Sequence, residues 1–280
     1  MPPAPTRDRS ELDDITRTLR RDIVTSTTEA GSGHPSTSLS MVELVTVLYF
    51  GGVLRYDPDD PKNPDRDRFV LSKGHGAPGL YAVLAEAGYF PTDELMTLRK
   101  LGSPLEGHPN MCRVPGVEAS TGSLGQGLSI GIGHALAGRV DGRDYRVYVM
   151  IGDGESEQGQ VWEAIMYAGN HGLDNLTLII DRNGFQQTAA VDDIQSLDPL
   201  KEKLEAFGWQ VREIDGHDLD QVADAFKWAL GVSGAPQVII ANTVKGKGVS
   251  LLEAAPEKWH GKPVPKEDEA KALEEIGASR

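Results

Sequence analysis

The sequence predicts an α/β fold, a parallel sheet with helices on both faces. Three observations carry that reading. Two apolar, β-rich runs, Val147-Tyr148-Val149-Met150-Ile151 and Leu176-Thr177-Leu178-Ile179-Ile180, flank a helical stretch over residues 158–172. Strand, helix, strand at that length is a βαβ crossover, so the two strands should be parallel and adjacent. Further strand-like runs at 69–71, 209–214 and 237–241 alternate with helical periodicities, as in a sheet covered on both sides. The first two runs also end alike, on Gly152-Asp153-Gly154-Glu155 and Asp181-Arg182-Asn183. Both polar groups should therefore emerge at the carboxyl edge of one sheet, where open α/β sheets bind ligands.

Residues 1–9 are Pro-rich and charged, and read as loose. Leu12, Ile15, Leu19, Ile23 and Val24 recur at three- and four-residue steps and predict a first helix that stops at Ala30-Gly31-Ser32-Gly33. A second helix is expected over 38–49, a polar loop over 55–68, and helices over 76–88 and 92–99; residues 103–120 read as irregular. Residues 123–139 read as a helix loaded with Gly125, Gly127, Gly131, Gly133, Ala135 and Ala137. Its poor propensity calls for close packing as compensation. Helices over 200–207 and 219–230 separate the later strands, and 267–276 is a charged helix. This gives one domain over 10–262 and a tail helix over 263–280.

Hydrophobic residues at 39% and charged residues at 25% describe an ordinary globular chain. A net charge of −14 argues against nucleic acid as a partner. A metal ion and local Lys and His can still reverse the field inside a cleft. The one cysteine, Cys112, excludes an intrachain disulfide and a Cys-rich zinc site. No apolar run approaches the ~18 residues of a membrane helix, and no signal peptide is evident. The expected compartment is the cytoplasm. Asn175-Leu176-Thr177 fits the glycosylation pattern but opens a core strand, so it is discounted.

A carboxylate, a carboxamide and a nearby backbone carbonyl suit a hard cation such as Mg²⁺, which also takes phosphate oxygens. Asp153 and Asn183 supply the first two. Gly152 and Gly154 let a diphosphate approach the backbone. Four histidines share one local grammar: Gly33-His34-Pro35, Gly74-His75-Gly76, Gly107-His108-Pro109 and Trp259-His260-Gly261. Each alone reads as a turn histidine. Together, in a chain with seven, they point to one pocket. No His-x-x-x-His pair supports zinc. His134, His171 and His217 read as bland. Thr121-Gly122-Ser123-Leu124-Gly125-Gln126-Gly127 joins a loop to a helix start, where N–H groups can meet a polar ligand, and Lys245 follows the 237–241 strand, where it could neutralise phosphate.

These segments together resemble the thiamine-diphosphate-binding half of transketolase, from about Asp13 to Pro263. Gly-Asp-Gly followed by Asn marks thiamine-diphosphate enzymes at large. The more specific marks are Gly-His-Pro, Ser-Lys-Gly-His, Glu-Gly-His-Pro, Thr-Gly-Ser-Leu-Gly-Gln-Gly and Trp-His-Gly-Lys, in that order. The resemblance implies that Asp153, Asn183 and the carbonyl of Phe185 ligate Mg²⁺, with Ca²⁺ or Mn²⁺ as substitutes. It implies that Thr37, His75, Gly154, Asn183, Lys245 and His260 line the cofactor, with Gly122, Ser123 and Leu124 touching it through main chain. His34, His75, His108 and His260 would form the catalytic set, facing sugar hydroxyls and moving protons. The implied reaction passes a two-carbon ketol unit from a ketose phosphate to an aldose phosphate.

Transketolases continue into a second domain that grips the aminopyrimidine. The resemblance therefore implies half a site, completed by a separate C-terminal subunit in an α2β2 assembly; a truncated chain would read the same. Where the family places Glu five residues after the metal aspartate, this chain has Gln158, preceded by Glu157. Other thiamine enzymes acting on 2-oxo acids, such as pyruvate dehydrogenase E1 or deoxyxylulose-phosphate synthase, fit the Asp153/Asn183 pair but not the Glu-Gly-His-Pro and Trp-His-Gly-Lys segments. A non-catalytic regulatory subunit is the remaining alternative.

Overall fold

The computed structural model describes residues 1–187 and 189–278. In chain order its strands are β1 (Arg68–Leu71), β2 (Val147–Gly152), β3 (Leu176–Arg182), the two-residue pieces β4 (Phe185–Gln186) and β5 (Ala189–Ala190), then β6 (Gln210–Asp215) and β7 (Gln237–Asn242). Five of them form one parallel sheet in the order β1-β2-β3-β7-β6, while β4 and β5 make a small antiparallel hairpin. The expected βαβ unit is present: β2 pairs parallel with β3, Ile151 opposite Ile180 and Gly152 opposite Asp181. Its crossover helix is one of eleven among the described residues: α1 (Arg9–Ala30), α2 (Pro35–Leu39), α3 (Val42–Phe50), α4 (Ala77–Glu86), α5 (Gln126–Val140), the crossover α6 (Gly159–Asn170), α7 (Val191–Gln195), α8 (Leu200–Ala206), α9 (Leu219–Gly231), α10 (Ser250–Glu253) and α11 (Glu269–Ala278).

Alternation along the strands sends side chains to opposite faces, and each face has its own core. Tyr148, Met150, Ile179 and Ile239 pack with Leu19 and Ile23 of α1, Leu44 of α3, Leu80 of α4 and Phe226 of α9. Val149, Ile151, Leu178, Ile180 and Ile240 pack with Leu128 and Ile132 of α5, Ile165 of α6 and Leu204 of α8. Near-continuous apolar strands are what a sheet buried on both faces requires.

Several boundaries differ from the sequence reading, each for a local reason. Helix α1 begins at Arg9, because Asp8 and Glu11 form a capping box: Asp8 Oδ1 accepts from Glu11 N at 3.0 Å and Glu11 Oε2 accepts from Asp8 N at 2.9 Å. The helix expected over 38–49 is two helices, α2 and α3. The break follows from Thr37, whose carbonyl accepts from Lys73 Nζ at 2.9 Å and Ser40 Oγ at 3.0 Å instead of a helical N–H. Helix α5 starts at Gln126 rather than 123, since Gly125 sits at φ 86, outside helical space. Residues 92–99 form only a 3₁₀ turn, Thr92–Thr97, and Arg99 has φ 59. The Asn175 side chain bonds the Ala135 carbonyl and Thr177 is buried, as suits a core strand.

The C-terminal helix α11 lies against α1, with Ile276 fully buried and the Leu273 carbonyl accepting from Arg21. The last two residues of the expected tail, Ser279 and Arg280, lie outside the described residues. Among the described residues no helix is long and apolar enough to cross a membrane.

The small residues of α5 divide by face. A Cβ on Gly131 would collide with Val149 Cγ2, and one on Gly127 with Ser72, whereas nothing lies within 4 Å of a Cβ on Gly133. Gly131→Ala should therefore lose about 1–3 kcal/mol of stability by overpacking. Gly133→Ala, in the same helix, should gain about 0.5–1 kcal/mol from propensity. Urea unfolding of the two variants beside the parent chain reads both signs.

Candidate active site

The carboxyl edge of the sheet opens into a cavity of about 340 Å³. It gathers almost every residue singled out from the sequence. His34, Thr37, His75, His108, Gly122, Leu124, Asp153, Gly154, Asn183, Phe185, Lys245 and His260 all line it. Ser123 does not; it is exposed between Gly122 and Leu124. Lys73, Glu155, Gln158, Gln186 and Gln187 line the cavity as well, and of these the sequence singles out only Gln158.

Asp153 directly follows β2 and Asn183 directly follows β3. Paired in register, the two strands bring both residues to the same mouth. Asp153 Oδ2 accepts from Gly184 N at 2.6 Å and Oδ1 from Gly154 N at 2.8 Å, while Asn183 Oδ1 accepts from Phe185 N at 3.2 Å. The Asp153 carboxyl is 3% exposed and has no ion-pair partner among the described residues. Burial raises its pKa to about 6, against the pull of the Gly184 and Gly154 N–H groups and Lys73. A cation at this carboxylate would remove that penalty. A Cβ on Gly154 would lie 2.6 Å from Gln186 Cβ, so only glycine fits between Asp153 and the β4–β5 hairpin.

Beneath the cavity lies Asp181, fully buried. It pairs with Lys73 Nζ, also buried, and accepts from Ser40 Oγ and Thr243 Oγ1. Burial alone would raise the Asp181 carboxyl; the Lys73 ammonium and the two hydroxyls more than offset this and hold it low. Lys73 also donates to the carbonyl and hydroxyl of Thr37. Glu155 is a second buried staple, accepting from Ser72 Oγ, Gly125 N and Gly152 N.

The histidines converge from separate loops. The ring centroids of His34 and His75 are 5.1 Å apart, those of His34 and His260 5.2 Å, and those of His75 and His260 5.5 Å. Cross-links hold three of these loops. Ser36 Oγ donates to the Trp259 carbonyl, and buried Tyr81 donates to the carbonyls of Glu106 and His108. His108 is exposed at the rim. Burial, reinforced by neighbouring basic groups, lowers His34 and His260 to about 4 and His75 well below its usual range; His108 is lowered too. All four are neutral at pH 7, able to donate from one nitrogen and accept at the other. The Nδ1 atom of His34 is buried without a hydrogen-bond partner. Lys245, 2% exposed, lies 3.1 Å from His260 Nδ1, and burial lowers its pKa to about 8. No three His, Cys, Asp or Glu side chains among the described residues are placed to hold a metal. A cation here would therefore draw on carboxamide, carbonyl and ligand oxygens beside Asp153.

Gln158 faces the cavity where a glutamate was expected, and Glu157 is taken up by the Gln186 carboxamide. The Lys73 and Asp181 roles have a trace in the sequence, since both stand inside quoted motifs; nothing local marks them as partners.

Residues 9–279 match the family described as transketolase, thiamine diphosphate binding domain. The chain is 46% identical over 268 residues to one of the subunits of an apulose-4-phosphate transketolase from Actinobacillus succinogenes, covering 95% of this chain and 96% of that protein. It is 44% identical over 266 residues to human transketolase, covering 95% of this chain but 42% of that protein. Thus it spans nearly all of the first and about two fifths of the second. Among solved structures, transketolase from Campylobacter jejuni superposes with a TM-score of 0.90 at 33% identity, over 97% of this chain and 43% of that one.

Two stability effects follow from the geometry. Lys73→Met leaves the Asp181 carboxylate buried without its cation and should cost about 3–5 kcal/mol in urea unfolding. The histidines give a pH dependence. Unfolded, they titrate near 6.5, whereas folded His34 and His260 titrate near 4. Between those values the unfolded chain binds more protons, so their contribution is complete above pH 6.5 and is lost as pH falls toward 4. Asp153, shifted up, works in the opposite sense, so the measure is a difference. His34→Asn should show a shallower loss of stability than the parent between pH 7 and 4.5.

Proposed function

The chain belongs to the transketolase family, as its thiamine-diphosphate-binding domain, and on that premise we propose that it is the N-terminal subunit of a two-component transketolase moving a two-carbon ketol unit from a ketose phosphate to an aldose phosphate. One observation carries the reading: a single cavity holds Asp153, Asn183, Lys245 and the four loop histidines. The near-complete overlap with a protein named as one subunit of a transketolase, beside two-fifths coverage of single-chain transketolase, supports a separate partner for the other half.

Thiamine diphosphate, when bound, supplies the electron sink for the two-carbon carbanion. The rest falls to the chain. Asp153 carries a negative charge that the fold buries without a counterion among the described residues, which favours a divalent cation there, Mg²⁺ in this reading with Ca²⁺ or Mn²⁺ able to replace it. Asn183 Oδ1 and the Phe185 carbonyl are further oxygens within the same loop. Lys245 and the main chain at Gly154 would hold the diphosphate, and Gly122 and Leu124 would border the ring system. His34, His75 and His260, being neutral, orient sugar hydroxyls and hold or release protons at their ring nitrogens without carrying charge into the site. His108, at the rim, receives the incoming sugar. Gln158 keeps a hydrogen-bonding group where the family has an acid, but it carries no proton to relay.

The partner we propose is the C-terminal, pyrimidine-binding subunit, in an α2β2 complex. The compartment is the cytoplasm, where the free thiol of Cys112 suits a reducing medium. Expressed with such a partner, the chain should elute as the larger complex and convert xylulose 5-phosphate plus ribose 5-phosphate but not pyruvate. Asp153→Ala should weaken binding of Mg²⁺–thiamine diphosphate by at least about tenfold, read by calorimetry. Full turnover by this chain alone, or cofactor binding indifferent to Asp153, would refute the proposal.

A further inference from the structure

His217, which reads as an unremarkable turn histidine in the sequence, is joined through the interior to the turn that carries Lys245. Its Nε2 lies 2.8 Å from the backbone nitrogen of Val244, and its Nδ1 lies 2.9 Å from Glu43 Oε2. A backbone N–H can only donate, so Nε2 accepts and Nδ1 carries the hydrogen toward Glu43. The other oxygen of Glu43 pairs with Arg20. The three side chains are 7–11% exposed. Arg20 Nε then donates to the Lys247 carbonyl at 3.2 Å. The same chain of contacts thus grips the turn on both sides of Lys245, at Val244 and at Lys247. Between them Gly246 N donates to the Ser36 carbonyl at 2.8 Å. The Lys245 side chain itself lines the cavity, its Nζ 3.1 Å from His260 Nδ1.

We propose that His217, set by Glu43 and Arg20, is a positioning residue for Lys245, fixing the backbone from which that ammonium reaches the diphosphate of the cofactor. The inference rests on the reading of Lys245 under the proposed function. A lysine side chain is long and flexible, and one that must be held at low exposure in one rotamer loses side-chain entropy on binding. A turn held at two points supplies that order before the ligand arrives. His217 touches neither the cofactor nor the substrate and acts only through the turn.

The test uses the full chain together with its partner subunit, titrated with Mg²⁺–thiamine diphosphate and followed by calorimetry, with turnover measured at saturating cofactor. His217→Ala should weaken cofactor binding about tenfold and leave kcat at saturation within about twofold of the parent. His217→Gln, whose carboxamide oxygen can still accept from Val244 N–H, should recover most of the loss. His217→Leu, which keeps volume and removes both nitrogens, should behave like alanine and carries the test where the alanine variant does not fold. In a Lys245→Ala background, His217→Ala should add less than about twofold, since its effect passes through the lysine. An undiminished tenfold loss in that background would overturn the inference, as would unchanged binding in His217→Ala beside a weakened Lys245→Ala. If Lys245→Ala alone binds like the parent, the reading of the cavity fails, and this inference fails with it.

Discussion

One buried carboxylate sets the geometry on which the cavity depends. Asp181, at the end of β3, is held by Lys73 after β1, Ser40 between α2 and α3, and Thr243 after β7. Four segments distant in sequence are fixed to one point. A charge at that depth is tolerated only with its counterion and a full set of hydrogen bonds. Once these are made, the floor of the cavity has little freedom left. Thr37 is drawn in by Lys73, the break between α2 and α3 follows, and the loop bearing His34 is thereby fixed above the floor. The Asp153 carboxylate is the complementary case: nearly as deep, but with backbone N–H groups as its hydrogen-bond partners. At this edge of the sheet, among the described residues, Asp181 is thus a buried acid with an ion-pair partner, while Asp153 and Glu155 are buried acids held by hydrogen bonds alone.

Much of this was legible in the sequence because it depends on local pattern. Apolar runs separated by a helix-length segment gave β2, α6 and β3 and their parallel pairing, and from that pairing the shared position of Asp153 and Asn183 follows without knowledge of the rest. Gly- and Pro-flanked histidines marked loops, and loops at the carboxyl edge of a parallel sheet converge. What was not legible is long-range pairing. Glu43 and His217 meet across the fold, and no feature of Gly216-His217-Asp218 announces it. Lys73 stands in a segment already singled out, but its partner Asp181 is known only once β1 and β3 are set on either side of β2. Among the boundaries missed are those where a side chain displaces a helical hydrogen bond, as at Thr37, or where a single backbone angle delays the start of a helix, as at Gly125.

The charge distribution also becomes intelligible at this level. A chain with net charge −14 would repel a diphosphate at long range. Inside the cavity the balance is local: Lys73 answers Asp181, Lys245 stands beside neutral histidines, Glu155 is held by hydrogen bonds from Ser72, Gly125 and Gly152, and Asp153 faces the opening without an ion-pair partner among the described residues. On the proposed reading, an anionic ligand that brought its own divalent cation would offset both the repulsion and the charge of Asp153. Neutral imidazoles suit this setting because they crowd together at 5.1–5.5 Å between centroids without mutual repulsion.

The missing side chains of α5 have a consequence for how such a protein can diverge. With Gly127 set against Ser72 and Gly131 against Val149, the helix rests directly on the strands that deliver Lys73 and Asp153, and there is no layer between them to absorb change. That flank of the sheet behaves as a fixed plate. Under the proposed function, new sugar preferences would have to be written on the opposite, loop-built shore, around His108, where a residue can be exchanged without disturbing the plate beneath.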